Sequence, residues 1–143
     1  MIRDGLFLAS AALMALTLWM VFFWVPTEAS LGVSQRIFYF HVPIAILALS
    51  SIIVVAIASI THLITRGQRS DDLAYSAAEL GAVLATLAIV TGATWAKPVW
   101  GVWWTWDPKL TLTLLLWFIY SGYLMLRAYG PKGSQGARYG AVI

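Results

Sequence analysis

Five of the eight tryptophans lie within twelve residues, and this window is where the residue types point most clearly to ligand chemistry. They are Trp95, Trp100, Trp103, Trp104 and Trp106. Such a window offers flat, apolar surfaces with indole N–H donors, which suit a planar macrocycle with propionates at one edge. The alternative is an aromatic belt at the headgroup level of a bilayer, where tryptophan is enriched. Residues 95–107 are called the tryptophan segment below, and the residues alone leave both interpretations open.

Histidine is the second residue type with possible chemistry, because neutral imidazole is a common axial ligand of haem iron. The chain has two, His41 and His62. At ~1.5 Å per residue of helix, 21 residues separate them by about 30 Å, so they cannot bind the same iron. His62 is predicted to face lipid headgroups. His41 is either a structural residue or an iron ligand that acts together with the tryptophan segment.

Asp107 and three cations complete the candidate set. Asp107 and Pro108 directly precede an apolar run, which is typical of an N-cap followed by proline at the first helical position. Direct ligand contact by Asp107 is the alternative. The cations are Arg36, Lys97 and Lys109, which either extend to phosphate headgroups or pair with propionates.

The composition requires a bilayer around these residues. Hydrophobic residues make up 61% of the 143 residues and charged residues only 10%, which is too little polar surface for a soluble domain. A net charge of +3 without a basic cluster argues against nucleic acid as a partner. The absence of cysteine excludes covalent c-type haem attachment and thiolate metal sites, so any haem would be held non-covalently, as haem b.

Four apolar stretches are long enough to cross the bilayer, at about residues 6–25, 44–64, 73–95 and 110–129. Because backbone groups cannot bond to water inside lipid, each stretch is predicted to be a helix. The expected fold is therefore an all-α, polytopic membrane helix bundle in one domain, with residues 96–109 as a loop. All five prolines stand at the ends of these stretches, which predicts helices without internal proline.

The distribution of arginine and lysine predicts the orientation. With a cytoplasmic N-terminus, six of the nine lie inside, and only Arg36, Lys97 and Lys109 lie outside. This orientation places segments 26–43 and 96–109 on the outer face, so His41 and the tryptophan segment share one side. Residues 137–143 look like the first turns of a fifth membrane helix, and the chain is therefore expected to be C-terminally truncated.

Three motifs resemble a known family. Residues 100–107 (WGVWWTWD) resemble the WWD signature of haem-handling proteins in c-type cytochrome maturation. Residues 36–43 (RIFYFHVP) and 91–98 (TGATWAKP) narrow the resemblance to the haem exporter protein C (CcmC-type) subfamily. The similarity covers residues 31–129.

The resemblance implies a six-helix protein of the bacterial inner membrane that presents haem on its periplasmic face. It would pass this transient cargo to a periplasmic haem chaperone, beside the subunits of an ABC (ATP-binding cassette) transporter. His41 matches the first of two axial histidines, and the second would follow a fifth helix that this chain does not contain. The WWD residues that would hold the haem edge are Trp100, Trp103, Trp104, Trp106 and Asp107.

The functional prediction is haem binding and transfer rather than catalysis, because no nucleophile–base pair, metal cluster or phosphate loop is visible. A haem lyase type of transfer is implied by the resemblance only. The alternative function is a membrane subunit of an ABC transporter complex whose tryptophan-rich loop docks a partner protein.

Overall fold

The computed structural model describes residues 2–142, and every regular element in this range is helical. The helices are α1 (Ile2–Trp19), which continues as a π-helical turn (Met20–Trp24), α2 (Gln35–Thr65), α3 (Gln68–Trp100), α4 (Pro108–Tyr129) and α5 (Ser134–Gly140). Helices α1 to α4 are long and apolar enough to cross a membrane. The prediction of an all-α, polytopic membrane bundle with four such helices is confirmed.

Helices α2 and α3 extend well beyond the apolar stretches that predict them. Helix α2 has 31 residues, about 46 Å at ~1.5 Å per residue, whereas the hydrocarbon layer is about 30 Å thick. The helix is therefore longer than an upright crossing of the hydrocarbon layer requires. Pro43 lies inside α2 and Pro98 inside α3, so the prediction of helices without internal proline was wrong for these two. Membrane helices tolerate proline where neighbouring groups satisfy the freed carbonyl.

Helices α2 and α3 form an antiparallel hairpin closed by Arg66 and Gly67. Arg66 takes the left-handed conformation (φ 54°), and its N–H donates to the carbonyl of His62 at 2.8 Å. His62 is only 6% exposed, and its Nδ1 lies 3.0 Å from the carbonyl oxygen of Gly67. The prediction that His62 faces headgroups was therefore wrong. Its imidazole contributes to the turn instead, because the Gly67 carbonyl can only accept, so Nδ1 of His62 donates to it across the turn.

Small residues on α3 allow three helices to approach closely. The buried small side chains of α3 recur every three or four residues, at Ala74, Ala78, Gly81, Ala85 and Ala88. A β-carbon on Gly81 would lie 2.5 Å from Oγ of Ser51 on α2 and 2.6 Å from the Tyr120 ring on α4. The Ser51 and Tyr120 hydroxyls hydrogen-bond at 2.6 Å. This is the packing of membrane helices, in which small residues and polar contacts hold the interface.

Helix α1 contributes little to this bundle. None of its residues is buried, and only Val21 in the π-helical turn is covered. The rings of Phe22 and Phe40 meet there, with centroids 6.2 Å apart. The packed part of the bundle is therefore formed by α2, α3 and α4. The bundle end that holds the tryptophan segment is called the tryptophan end, and the end that holds Arg66 and α5 is called the arginine end.

Candidate functional site

An apolar cavity of about 410 Å³ opens between α2, α3 and α4 at the tryptophan end. Its volume falls in the range of ~300–1,000 Å³ that is usual for small-molecule and cofactor sites. The cavity has room because four small side chains line it on the facing helices: Ala45 and Ala48 of α2, and Ala85 and Ala88 of α3. Larger residues form the rest of the lining: His41, Leu49, Ile52, Ile89, Trp95, Trp100, Trp104, Lys109, Leu110, Leu112, Thr113 and Leu116.

His41 is half-buried in the second turn of α2, and three residues of α3 hold its ring. Its Nδ1 lies 3.0 Å from Oγ1 of Thr91. The Trp95 indole stacks against the imidazole, with centroids 6.5 Å apart and planes 22° from parallel. Gly92 lies against the ring edge, since a β-carbon there would be 3.0 Å from Cε1. The absence of a side chain at residue 92 thus makes room for the imidazole.

Three tryptophans border the cavity beside His41. Trp95 and Trp100 meet edge to face, with centroids 5.2 Å apart, and Trp104 lines the wall near Lys109. The indole nitrogens of Trp95 and Trp104 are buried without a hydrogen-bond partner among residues 2–142. A buried donor left unpaired costs ~1–3 kcal/mol. Both rings line the cavity, but the protein covers their N–H groups, so these donors do not face the open space.

The other predicted contacts are placed differently. Trp103 and Trp106 are 57% and 76% exposed and lie outside the cavity lining. Among the predicted cations only Lys109 lines the cavity. Nζ of Lys97 donates to the carbonyl of Gly101 at 2.8 Å. The guanidinium of Arg36 lies 5.7 Å from the centroid of the Phe22 ring.

Asp107 caps α4, as predicted. Its Oδ1 accepts the N–H of Leu110 at 3.0 Å, and its Oδ2 accepts the hydroxyl of Thr105 at 2.7 Å. These hydrogen bonds, that from Thr105 first, hold the pKa of the Asp107 carboxyl below its ordinary value. The ionised carboxylate thus fixes the end of the tryptophan segment to the start of α4.

Sequence reasoning does not select two residues that the structure places at the site, Thr91 and Gly92. Trp95 lies in the tryptophan segment but is not among the residues predicted to hold the haem edge. All three belong to the TGATWAKP motif, and one or two helical turns bring them onto the face of α3 that meets His41. The signal in the sequence is a glycine and a threonine about one helical turn before a tryptophan. It indicates a place for the His41 ring only once it is known that α2 packs against this face of α3.

The arrangement is suited to a metal that arrives with its own ligands. Within residues 2–142, no three His, Cys, Asp or Glu side chains come together to hold a bare metal ion. A macrocycle supplies four equatorial nitrogens itself, so a single imidazole is enough to add an axial bond. The cavity combines that imidazole with aromatic walls and the Lys109 side chain.

Comparison with known proteins agrees with the motifs. The family model described as Heme exporter protein C matches residues 2–143. The Heme exporter protein C of Rhodobacter capsulatus is 42% identical over 105 residues, which cover 73% of this chain and 43% of that protein. For the Escherichia coli K12 protein of the same name the identity is 34% over 139 residues, covering 95% of this chain and 57% of that protein.

The Haemophilus influenzae Heme exporter protein C is 36% identical over 118 residues, which cover 82% of this chain and 48% of that protein. The chain thus spans about half the length of the curated relatives it matches. With its motifs, its four membrane helices and a family model that matches nearly every residue, the chain belongs to the heme exporter protein C family.

Proposed function

We propose that this protein binds haem at the tryptophan-end cavity and hands it on during c-type cytochrome biogenesis. One observation carries the proposal: an imidazole, three tryptophan rings and a lysine side chain line the same apolar cavity. The family membership supports it, because the relatives are named heme exporters. Haem is the cargo here, held without a covalent bond.

Each group in the site has a role that follows from its chemistry. Nε2 of His41 binds the iron, and the walls formed by Trp95, Trp100 and Trp104 cover the macrocycle. The Lys109 ammonium is available to propionate oxygens, since charge-assisted hydrogen bonds are the stronger ones. Asp107 acts indirectly, by holding the tryptophan segment against α4.

The site favours transfer over permanent storage. Residues 2–142 offer one imidazole to the cavity, and the cavity is open at the side. One axial bond gives weaker and more reversible binding than two. We propose a periplasmic haem chaperone as the recipient and ABC transporter subunits as neighbours in the complex.

A matched pair of tryptophans separates haem binding from the alternative of partner docking. Trp104→Ala removes a wall of the cavity and is expected to lower haem affinity about tenfold, whereas Trp103→Ala, at an exposed residue outside the lining, serves as control and changes it less than about twofold. Titration of the purified full-length protein with haem, followed at the Soret band, measures both. Docking predicts instead that Trp103→Ala breaks complex assembly and that both variants keep the wild-type haem affinity.

The proposal also places the tryptophan end in the periplasm and the N-terminus in the cytoplasm. The chain has no cysteine, so single cysteines introduced at the exposed positions Val102 and Arg69 give a clean test. A membrane-impermeant maleimide is expected to label Val102→Cys in cells with a permeable outer membrane, and Arg69→Cys only after the inner membrane is opened. The opposite labelling pattern would invert the topology.

A further inference from the structure

The hydroxyl of Thr91 has one hydrogen, and the structure shows where it goes. Oγ1 lies 2.7 Å from the carbonyl oxygen of Leu87, one turn earlier on α3. A carbonyl can only accept, so the hydroxyl donates to Leu87. Toward His41 Nδ1, at 3.0 Å, the same oxygen has only lone pairs to offer. The imidazole must therefore be the donor, and its proton lies on Nδ1.

This hydrogen bond determines which nitrogen can bind a metal. A neutral imidazole that is protonated on Nδ1 has its lone pair on Nε2. His41 lines the cavity, while Gly92 and Trp95 confine its ring from the α3 side. With Nδ1 committed to Thr91, Nε2 is the nitrogen left for a ligand.

Other threonines show what is distinctive about Thr91. Thr61, Thr86 and Thr94 also donate to the carbonyl four residues earlier, at 2.7–2.8 Å. This back-bond is a common way for a membrane helix to satisfy a hydroxyl. At Thr91 alone among these four, the oxygen also lies within hydrogen-bond distance of an imidazole. The hydrogen bond to the Leu87 carbonyl orients the Thr91 hydroxyl oxygen, and this oxygen in turn orients the His41 ring.

We propose that Thr91 is a positioning residue for the cargo: it fixes the Nδ1–H tautomer and the ring orientation of His41, so that Nε2 is presented to the iron. The inference rests on the proposed function, since it assigns a role within haem binding. An acceptor on the far nitrogen raises the basicity of a ligating histidine and limits its rotation, and losing such an acceptor typically costs ~10–100-fold in metal affinity.

The test compares three variants of the full-length protein. Thr91→Val keeps the shape of the side chain and removes the acceptor, Thr91→Ser keeps the hydroxyl, and Thr94→Val removes the same back-bond one turn away. Haem titration is expected to give a Kd about tenfold higher for Thr91→Val and wild-type values for the other two. Resonance Raman spectra of the ferrous complex are expected to show a lower iron–histidine stretching frequency only in Thr91→Val.

A measurement without haem reports the tautomer directly. In protein with ¹⁵N-labelled imidazoles, His41 is expected to show a protonated Nδ1. His62 is the internal reference, because its Nδ1 faces the carbonyl of Gly67 and must donate to it. A wild-type His41 protonated on Nε2 would overturn the inference, and this result does not depend on whether Thr91→Val folds.

Failure of the inference and failure of the proposed function are distinguishable. If wild-type protein binds haem in a His41-dependent way while Thr91→Val keeps both the wild-type Kd and the wild-type stretching frequency, the inference is wrong and the function stands. If wild-type protein takes up no haem, the proposed function fails, and the role of Thr91 fails with it.

Discussion

Replacing His41 by alanine is expected to raise the Kd for haem by about 100-fold, or about 2.7 kcal/mol. Within residues 2–142, His41 is the one imidazole that lines the cavity. The loss of the ligand itself should exceed the roughly tenfold cost expected for losing the group that orients it. The measurement is a Soret titration of purified full-length protein, with the spectrum of the remaining bound haem recorded to detect a change of axial ligand.

Two controls make the His41 result specific. His62→Gln changes the other histidine, which lies at the arginine end with its Nδ1 at the Gly67 carbonyl, and is expected to leave the Kd within about twofold. His41→Gly should regain part of its affinity when free imidazole is added, because the missing ring leaves a gap beside Trp95 and Gly92. Unchanged affinity in His41→Ala would remove the iron ligand from the proposed site.

Much of the fold follows from hydropathy. Four apolar stretches of about bilayer length predict four helices, and the structure has them. The ends of α2 and α3 could not be predicted in this way, since hydropathy marks the part of a helix inside hydrocarbon and not the turns that continue past it. The extension of α2 to Gln35 matters for the site, because it places His41 inside the helix and fixes the direction of its side chain.

The site was only partly predictable. Charge distribution predicts that His41 and the tryptophan segment share one side, and the structure brings His41, Trp100 and Trp104 to the same cavity. Sequence could not separate Trp104 from its neighbour Trp103, because residues 101–107 are neither helix nor strand and no periodicity applies to them. The role of Thr91 was equally hidden, since it depends on a residue 50 positions away on another helix.

A contact between distant residues also determines the arginine end. Asp71 lies in the first turn of α3 and Arg127 lies in the last turn of α4, 56 residues further along the chain. Their side chains form a bidentate ion pair. Nη2 of Arg127 donates to Oδ2 of Asp71 at 2.8 Å, and Nη1 donates to Oδ1. The side chain of Arg127 is 15% exposed and that of Asp71 is 5% exposed. The Arg127 guanidinium also lies 5.3 Å from the centroid of the Tyr75 ring and 5.9 Å from that of Tyr123.

Replacing Asp71 by alanine is therefore expected to lower the free energy of unfolding by about 3 kcal/mol, because it leaves the Arg127 charge buried without its counter-ion. The value lies at the low end for buried pairs, since the pair is close to the end of the bundle. Thermal or denaturant unfolding in detergent measures the loss.

The neighbouring Asp72 is the matched control: it is exposed and accepts a hydrogen bond from the side chain of Gln68, so Asp72→Ala should cost less than about 1 kcal/mol. Asp71→Leu combined with Arg127→Leu should recover most of the stability, because a buried pair exchanged for apolar residues is often neutral. Equal stability of the Asp71 and Asp72 variants would show that the ion pair does not hold α3 to α4.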